Sequence, residues 1–335
     1  MLLIKSNKEN YDKILQIIDV DEYSDGRNNA DFYIKKFNRM RNALYIVLYI
    51  GLFYFFLEGR LISENLLVKA VVIIIVGIVA KKYSAQKQAI NEEYYGFFHR
   101  DCRPDIAISR YLAFVSAMLN KQCQWNIIYY NFGLALYRQG EINKANAFLG
   151  LMQDSTETAM GLFRAEHLKQ LIAFYYKDYD TVITCSNEAG VTFSKLRQNK
   201  RNKKIYDDML LAGAYAVCCK NNDYQQILSL LQDAKEYSLD EVVRHYYLYL
   251  AAKEINDSEK ADYYRSFVRN NAGTTWYGNA VEDGFIPEEK PENYPGFCVS
   301  SDKLNNPLKI DRSRIKYLLL GTLIVVLLFV ISRLL

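Results

Sequence analysis

Three histidines, His99, His167 and His245, are the first residues to test for chemistry. None is followed by a second histidine at i+3 or i+4, the spacing that sets two metal ligands on one helix face. The six cysteines, Cys102, Cys123, Cys185, Cys218, Cys219 and Cys298, contain no CxxC pair, and in a chain of this length they read as isolated, mostly buried thiols of a reducing compartment. A phosphate-cradling glycine loop, a GxSxG elbow and a dinucleotide fingerprint are all missing. The acidic pairs Asp240-Glu241 and Glu288-Glu289 suit solvated helix starts and linkers better than acid–base catalysis. No catalytic set, metal or cofactor is expected. One charged cluster remains, Lys195, Arg197, Lys200, Arg201, Lys203 and Lys204, which suits anionic headgroups or an acidic partner at about 1 kcal/mol per basic residue. Its alternative reading is a solvated loop in a protein whose net charge of +4 is too mild to argue for nucleic acid.

The elements that must position these residues are helical. No proline falls between Pro104 and Pro287, and such a run favours helix throughout. Apolar periodicity predicts helices near 104–120, 124–139, 141–152, 156–177, 179–188, 204–221, 223–235, 239–255 and 257–270, with Asp154 and Glu157 as a capping box for the fourth. Tyr11, Ile14, Leu15 and Ile18 predict an earlier surface helix, followed by a loop over Asp21–Asn29. Lys195–Lys204 reads as an insertion between hairpins.

Tyr129–Leu149 is the most informative stretch. Phe132, Gly133 and Leu136 share one face of a first helix, Gly140 ends it, and Ile142, Ala145 and Leu149 share a face of the second. The turn echoes at Lys177-Asp178-Tyr179, Asn222-Asp223-Tyr224 and Asn256-Asp257-Ser258, in steps of 37, 45 and 34 residues. The pattern of a large residue, Gly, an aromatic, Gly, an aromatic and Ala resembles the tetratricopeptide repeat over residues 105–270, although the later copies lack the first glycine and none ends in proline. The resemblance implies an all-α helical-hairpin solenoid of a kind that binds partners and rarely catalyses. It also implies a concave face carrying Tyr130, Leu134, Tyr137 and Arg138 from the first copy. Arg164, His167, Leu171 and Tyr175 follow from the second, Lys220 from the third, and Tyr246, Leu250 and Lys253 from the fourth. Arg138, Arg164, Lys220 and Lys253 would then make a basic floor for an acidic peptide or a carboxylate terminus.

Apolar segments flank this domain. Ala43–Leu57 is uncharged, and Leu61–Ala80 carries only Glu64 and Lys69, so 43–81 reads as a transmembrane hairpin, with a buried hairpin as the alternative. Residues 317–335 read as a C-terminal tail anchor. The expected organisation is therefore an N-terminal cytoplasmic segment 1–42, the hairpin, a connecting helix 82–103, the repeat domain 104–270, a linker 271–316 packed locally through Trp276, Tyr277 and Phe285, and the anchor. Arg39, Arg41, Lys81, Lys82, Arg312, Arg314 and Lys316 beside the spans place the repeat domain on the cytoplasmic side by the positive-inside rule. The expected function is that of a membrane-anchored scaffold binding a protein or peptide partner at the lipid bilayer. The alternatives are a peripheral anionic-lipid-binding protein and an accessory subunit of a membrane complex, with a motif-less enzyme ranked last.

Overall fold

A computed structural model describes residues 2–23, 66–120, 123–155, 158–235, 237–292 and Tyr294, with part of 32–49, and among them every regular element is a helix. The chain divides into two compact units, residues 1–28 with 95–309, and residues 29–94 with 310–335. Helices α1 (Leu2–Ile17), α3 (Pro104–Ala117), α4 (Trp125–Gln139), α5 (Ile142–Ser155), α6 (Ala159–Tyr175), α7 (Tyr179–Ser194), α8 (Lys200–Lys220), α9 (Tyr224–Leu230), α10 (Ser238–Glu254), α11 (Ser258–Asn271) and α12 (Trp276–Ala280) belong to the first unit. Helix α2 (Leu66–His99) contributes its residues up to 94 to the second. There the Tyr33 hydroxyl donates to Glu93 Oε1 at 2.7 Å, and the Lys36 ammonium lies 3.7 Å from the same carboxylate.

The structure corrects the expected membrane placement. No helix among the described residues is long and apolar enough to cross a membrane. In α2 the uncharged run is Ala70–Ala80, enclosed between Lys69 and the Lys81-Lys82 pair. At about 1.5 Å rise per residue those residues extend roughly 16 Å, half of a ~30 Å hydrocarbon core. For the described residues this finding corrects the expected integral-membrane localisation and its transmembrane-helix description. The first half of the expected hairpin, 43–57, lies largely outside the described residues, and the expected anchor 317–335 lies wholly outside them.

In the first unit, α4/α5, α6/α7, α8/α9 and α10/α11 form hairpins, and the leading helices α4, α6 and α8 also touch in sequence. One turn geometry recurs at all four hairpins. Gly140, Lys177, Asn222 and Asn256 take positive φ values of 100°, 55°, 57° and 59°. In each case the next residue's N–H reaches back to a carbonyl five residues earlier: Glu141 to Leu136, Asp178 to Ala173, Asp223 to Cys218 and Asp257 to Ala252, at 2.9–3.0 Å. This is the six-to-one bond of a left-handed helix cap. Asp178, Asp223 and Asp257 then cap the following helix, each side chain accepting from the N–H three residues on. The sequence echoes are thus a repeated cap-and-restart device.

Gly133 earns its place by packing, since a Cβ there would stand 2.5 Å from Leu168 Cδ2. Around it Phe132 stacks on Phe148 with ring centroids 5.4 Å apart, in a core shared by α4, α5 and α6. Ile14 of α1 and Ile18, just past its end, are buried against this core. The helix is pinned by Asn7, which donates to Leu119 O and accepts from Trp125 Nε1, and by Asn10, which accepts from Tyr129.

Two boundaries differ from expectation. Thr158, not the Asp154/Glu157 pair, caps α6, accepting from Gly161 N at 3.1 Å, because Asp154 falls within α5. Helix α8 starts at Lys200 behind an Asn199 cap, so Lys200, Arg201, Lys203 and Lys204 are helical, and the inter-hairpin loop is short.

Candidate ligand-binding face

The leading helices α4, α6 and α10 gather their aromatic side chains around the segment that follows α11. Trp276 and Tyr277, at 5 % and 0 % exposure, are the centre of this arrangement. Trp276 makes edge contacts with Tyr175 at 5.0 Å and Tyr246 at 5.2 Å between ring centroids. The Tyr277 hydroxyl accepts a hydrogen bond from Arg138 Nη1, and the guanidinium carbon lies 5.5 Å from the Tyr277 ring centroid and 5.4 Å from that of Tyr137. The expected local packing of Trp276 and Tyr277 is in fact a docking of residues 272–285 onto the first hairpin and α10.

Beyond α12 the chain is acidic, with Glu282, Asp283, Glu288, Glu289 and Glu292 against the single Lys290. It runs across the ends of the first two hairpins. The Glu288 carboxylate accepts from Asn143 N at the start of α5, Glu288 N donates to the Tyr175 hydroxyl at 2.9 Å, and Tyr176 donates to Glu289 O at 3.3 Å. Tyr294 closes the segment by donating to Asp178 Oδ2 at 3.0 Å. An open cavity of about 410 Å³ lies between this segment, α6 and α10. Its walls are mainly aromatic, including Phe174, Tyr215, Tyr247, Trp276 and Phe285, and Lys177 and Lys253 stand at its edge. Both lysines are exposed, and neither forms an ion pair among the described residues. Glu282 and Asp283, which also line it, are engaged by Arg269 and Arg265.

A second, separate feature lies on α4, α6 and α8. Tyr130, Arg164 and His167 are 2 %, 4 % and 7 % exposed. Tyr130 Oη and His167 Nδ1 are 2.7 Å apart, and the Arg164 guanidinium carbon is 5.6 Å from the Tyr130 ring centroid. Burial, assisted by the charge of Arg138, pushes His167 down to about 3, so this imidazole is neutral. Burial drives Arg164 down to about 10, and the nearby charge of Arg201 acts in the same direction. Burial raises Tyr130 to about 12 against the opposing pull of Arg164, Arg201 and Arg138. Asp208 keeps an exposed side, yet the protein atoms massed around it raise it by desolvation to about 6, with Asp240 adding to the rise. Among the described residues Arg164 Nε and Nη1 are enclosed with no acceptor, and Arg164 makes no ion pair.

The structure therefore divides the residues expected to line one groove. Tyr175, Tyr246, Leu250 and Lys253 meet at the cavity, while Tyr130, Arg138, Arg164 and His167 lie in or beside the basic cluster. Tyr137 is fully buried, Leu134 and Leu171 pack on the core, and Lys220 stands apart in an ion pair with Asp180. Arg164, at 4 % exposure, is not a surface position. In the basic run, Lys195, Arg197, Lys200, Arg201 and Lys203 are exposed, whereas Lys204 is half-buried, pairs with Asp240 and lies over the Tyr237 ring. His245 stacks on Phe267 at 3.7 Å, and among the described residues no three His, Cys, Asp or Glu side chains gather into a metal set. Sequence reasoning missed Tyr215, Tyr247, Glu282 and Asp283, whose roles depend on how the acidic segment folds back. No family model matches this chain, and no curated protein or solved structure shows significant similarity to it.

Proposed function

We propose that this chain is a docking protein whose hairpins, acting as tetratricopeptide-like repeats do, hold an acidic segment of a partner protein. The observation that carries this reading is the cavity beside the chain's own acidic segment: aromatic walls, with Lys177 and Lys253, which form no ion pair among the described residues, at the edge. An apolar or aromatic anchor of the partner fills the cavity, and flanking carboxylates meet the two lysines. The internal segment 282–292 supports the same chemistry, being an acidic stretch with Phe285 held against the same aromatic surface.

The test is fluorescence anisotropy of the full chain with labelled acidic peptides carrying a central Phe, set against the same peptides with Lys in place of the acids. Only the acidic set should bind, more weakly as salt rises. Lys177→Glu with Lys253→Glu replaces attraction by repulsion at two exposed rim sites. Each is worth up to about 1 kcal/mol, so affinity should fall about tenfold or more with the melting temperature unchanged. Equal binding of both peptide sets, or by the double variant, would remove this reading.

A further inference from the structure

We propose that Arg164 and Arg201, beside the Tyr130–His167 pair and between α4, α6 and α8, form a binding site for a phosphoryl group. The site shares no lining residue with the aromatic cavity, and the inference stands independently of the docking proposal.

The fold leaves one buried charge unbalanced. A guanidinium taken out of water keeps its charge, and it is tolerated when a carboxylate or another anion meets it. Arg164 is 4 % exposed and has two enclosed N–H nitrogens with no acceptor, and it makes no ion pair among the described residues. Tyr130 turns its ring toward the guanidinium, whose carbon lies 5.6 Å from the ring centroid. Lys204, one turn along α8, is already paired with Asp240. The surplus at Arg164 is therefore positive, and the further cations make it larger: Arg201 on the first turn of α8 and Arg138 on the last turn of α4 both act on Tyr130.

Ligand class follows from charge and shape. A single carboxylate would balance one guanidinium. A phosphoryl group carries up to two charges near neutral pH and three acceptor oxygens, and planar guanidinium forks bind it bidentately. Arg201 is exposed, so the site has an open side through which the anion enters. The phosphoryl group can belong to a small phosphorylated solute or to a phosphorylated side chain. Asp208 acts on Tyr130 in the sense opposite to the arginines, so its carboxylate is a charge facing this region that opposes an anion.

Thermal denaturation and phosphorus NMR of the full chain test this, with inorganic phosphate alone, a phosphoserine peptide and its unphosphorylated form, all at matched ionic strength in chloride. Phosphate or the phosphopeptide should raise the melting temperature by several degrees and broaden the phosphorus signal, while chloride and the plain peptide should not. The arm that saturates at lower concentration identifies the source of the phosphoryl group. Arg201→Gln, at an exposed position, should weaken the effect at least fivefold without changing the ligand-free melt. Arg164→Met should abolish it and raise the ligand-free melting temperature, because an uncompensated charge is replaced by an apolar chain of similar length. Absence of any phosphoryl-specific shift overturns the proposal. So does an Arg201→Gln chain that responds as the unaltered chain does, or an Arg164→Met chain that melts lower and still responds.

Discussion

Trp276 rests on Gly140: a methyl group added to the glycine would stand 2.8 Å from Trp276 Cβ. The glycine also has φ of 100°, so two separate constraints meet at one position. Gly140→Ala should therefore cost about 2 kcal/mol or more, from left-handed strain plus the displaced tryptophan. Urea unfolding followed by tryptophan emission measures both, as a lower midpoint and an altered native signal. An unchanged midpoint would mean that the turn and Trp276 move freely apart.

The other three hairpin turns make the opposite prediction. Lys177 holds a left-handed conformation with a full side chain, so Lys177→Gly should stabilise the chain by about 0.5–1 kcal/mol. Asn222→Gly and Asn256→Gly should gain less, because asparagine tolerates this conformation better than lysine does. Melting temperatures of the three variants provide the ranking. A loss at Lys177 would show that its side chain contributes to the fold from the cavity edge.

Glu166 sets a pH dependence. It is fully buried, its Oε2 accepts from Thr192 at 2.8 Å and its Oε1 has no partner among the described residues. Burial raises its pKa from the usual 4.5 to about 7, with Glu188 adding to the rise while Thr192 and Lys169 oppose it. Between those two values the folded chain retains a proton that the unfolded chain has released. Glu166 thus makes stability fall as pH rises from about 4.5 to about 7, by at most about 3 kcal/mol. Glu166→Gln should flatten the urea midpoint across this window and be the more stable form at pH 8. A wild-type midpoint that rises from pH 5 to pH 8, with the variant following it, would contradict this.

The hairpins were legible in the sequence because their signals are local. Alternating apolar faces, the Gly140 stop and the Asp178, Asp223 and Asp257 restarts each act within a few residues, and the structure places a left-handed cap at every one. What the sequence concealed is long-range. The Arg138–Tyr277 bond joins residues 139 positions apart, and Tyr175 meets Glu288 across 113, so no periodicity announces either. The face inferred from repeat offsets accordingly has part of its surface occupied by the chain itself. The membrane reading went astray for a related reason, since a hydropathy run counts apolar residues and gives little weight to Lys69 and Lys81, which bound the uncharged part of α2.

The return of residues 272–285 has a consequence for how the first unit unfolds. A stack of hairpins joined only to its neighbours loses structure piecemeal, since each terminal pair can detach without disturbing the rest. Here α12 packs on α4, α10 and α11, and Thr274 bonds to Asp105 and to Cys102 O at the start of α3. Peeling away the last hairpin uncovers Trp276 and Tyr277 and leaves the Arg138 guanidinium without its acceptor, so early and late hairpins share one fate. The unit is a clasped belt in which the buckle, five residues of α12, turns a chain of local stabilities into a single cooperative one.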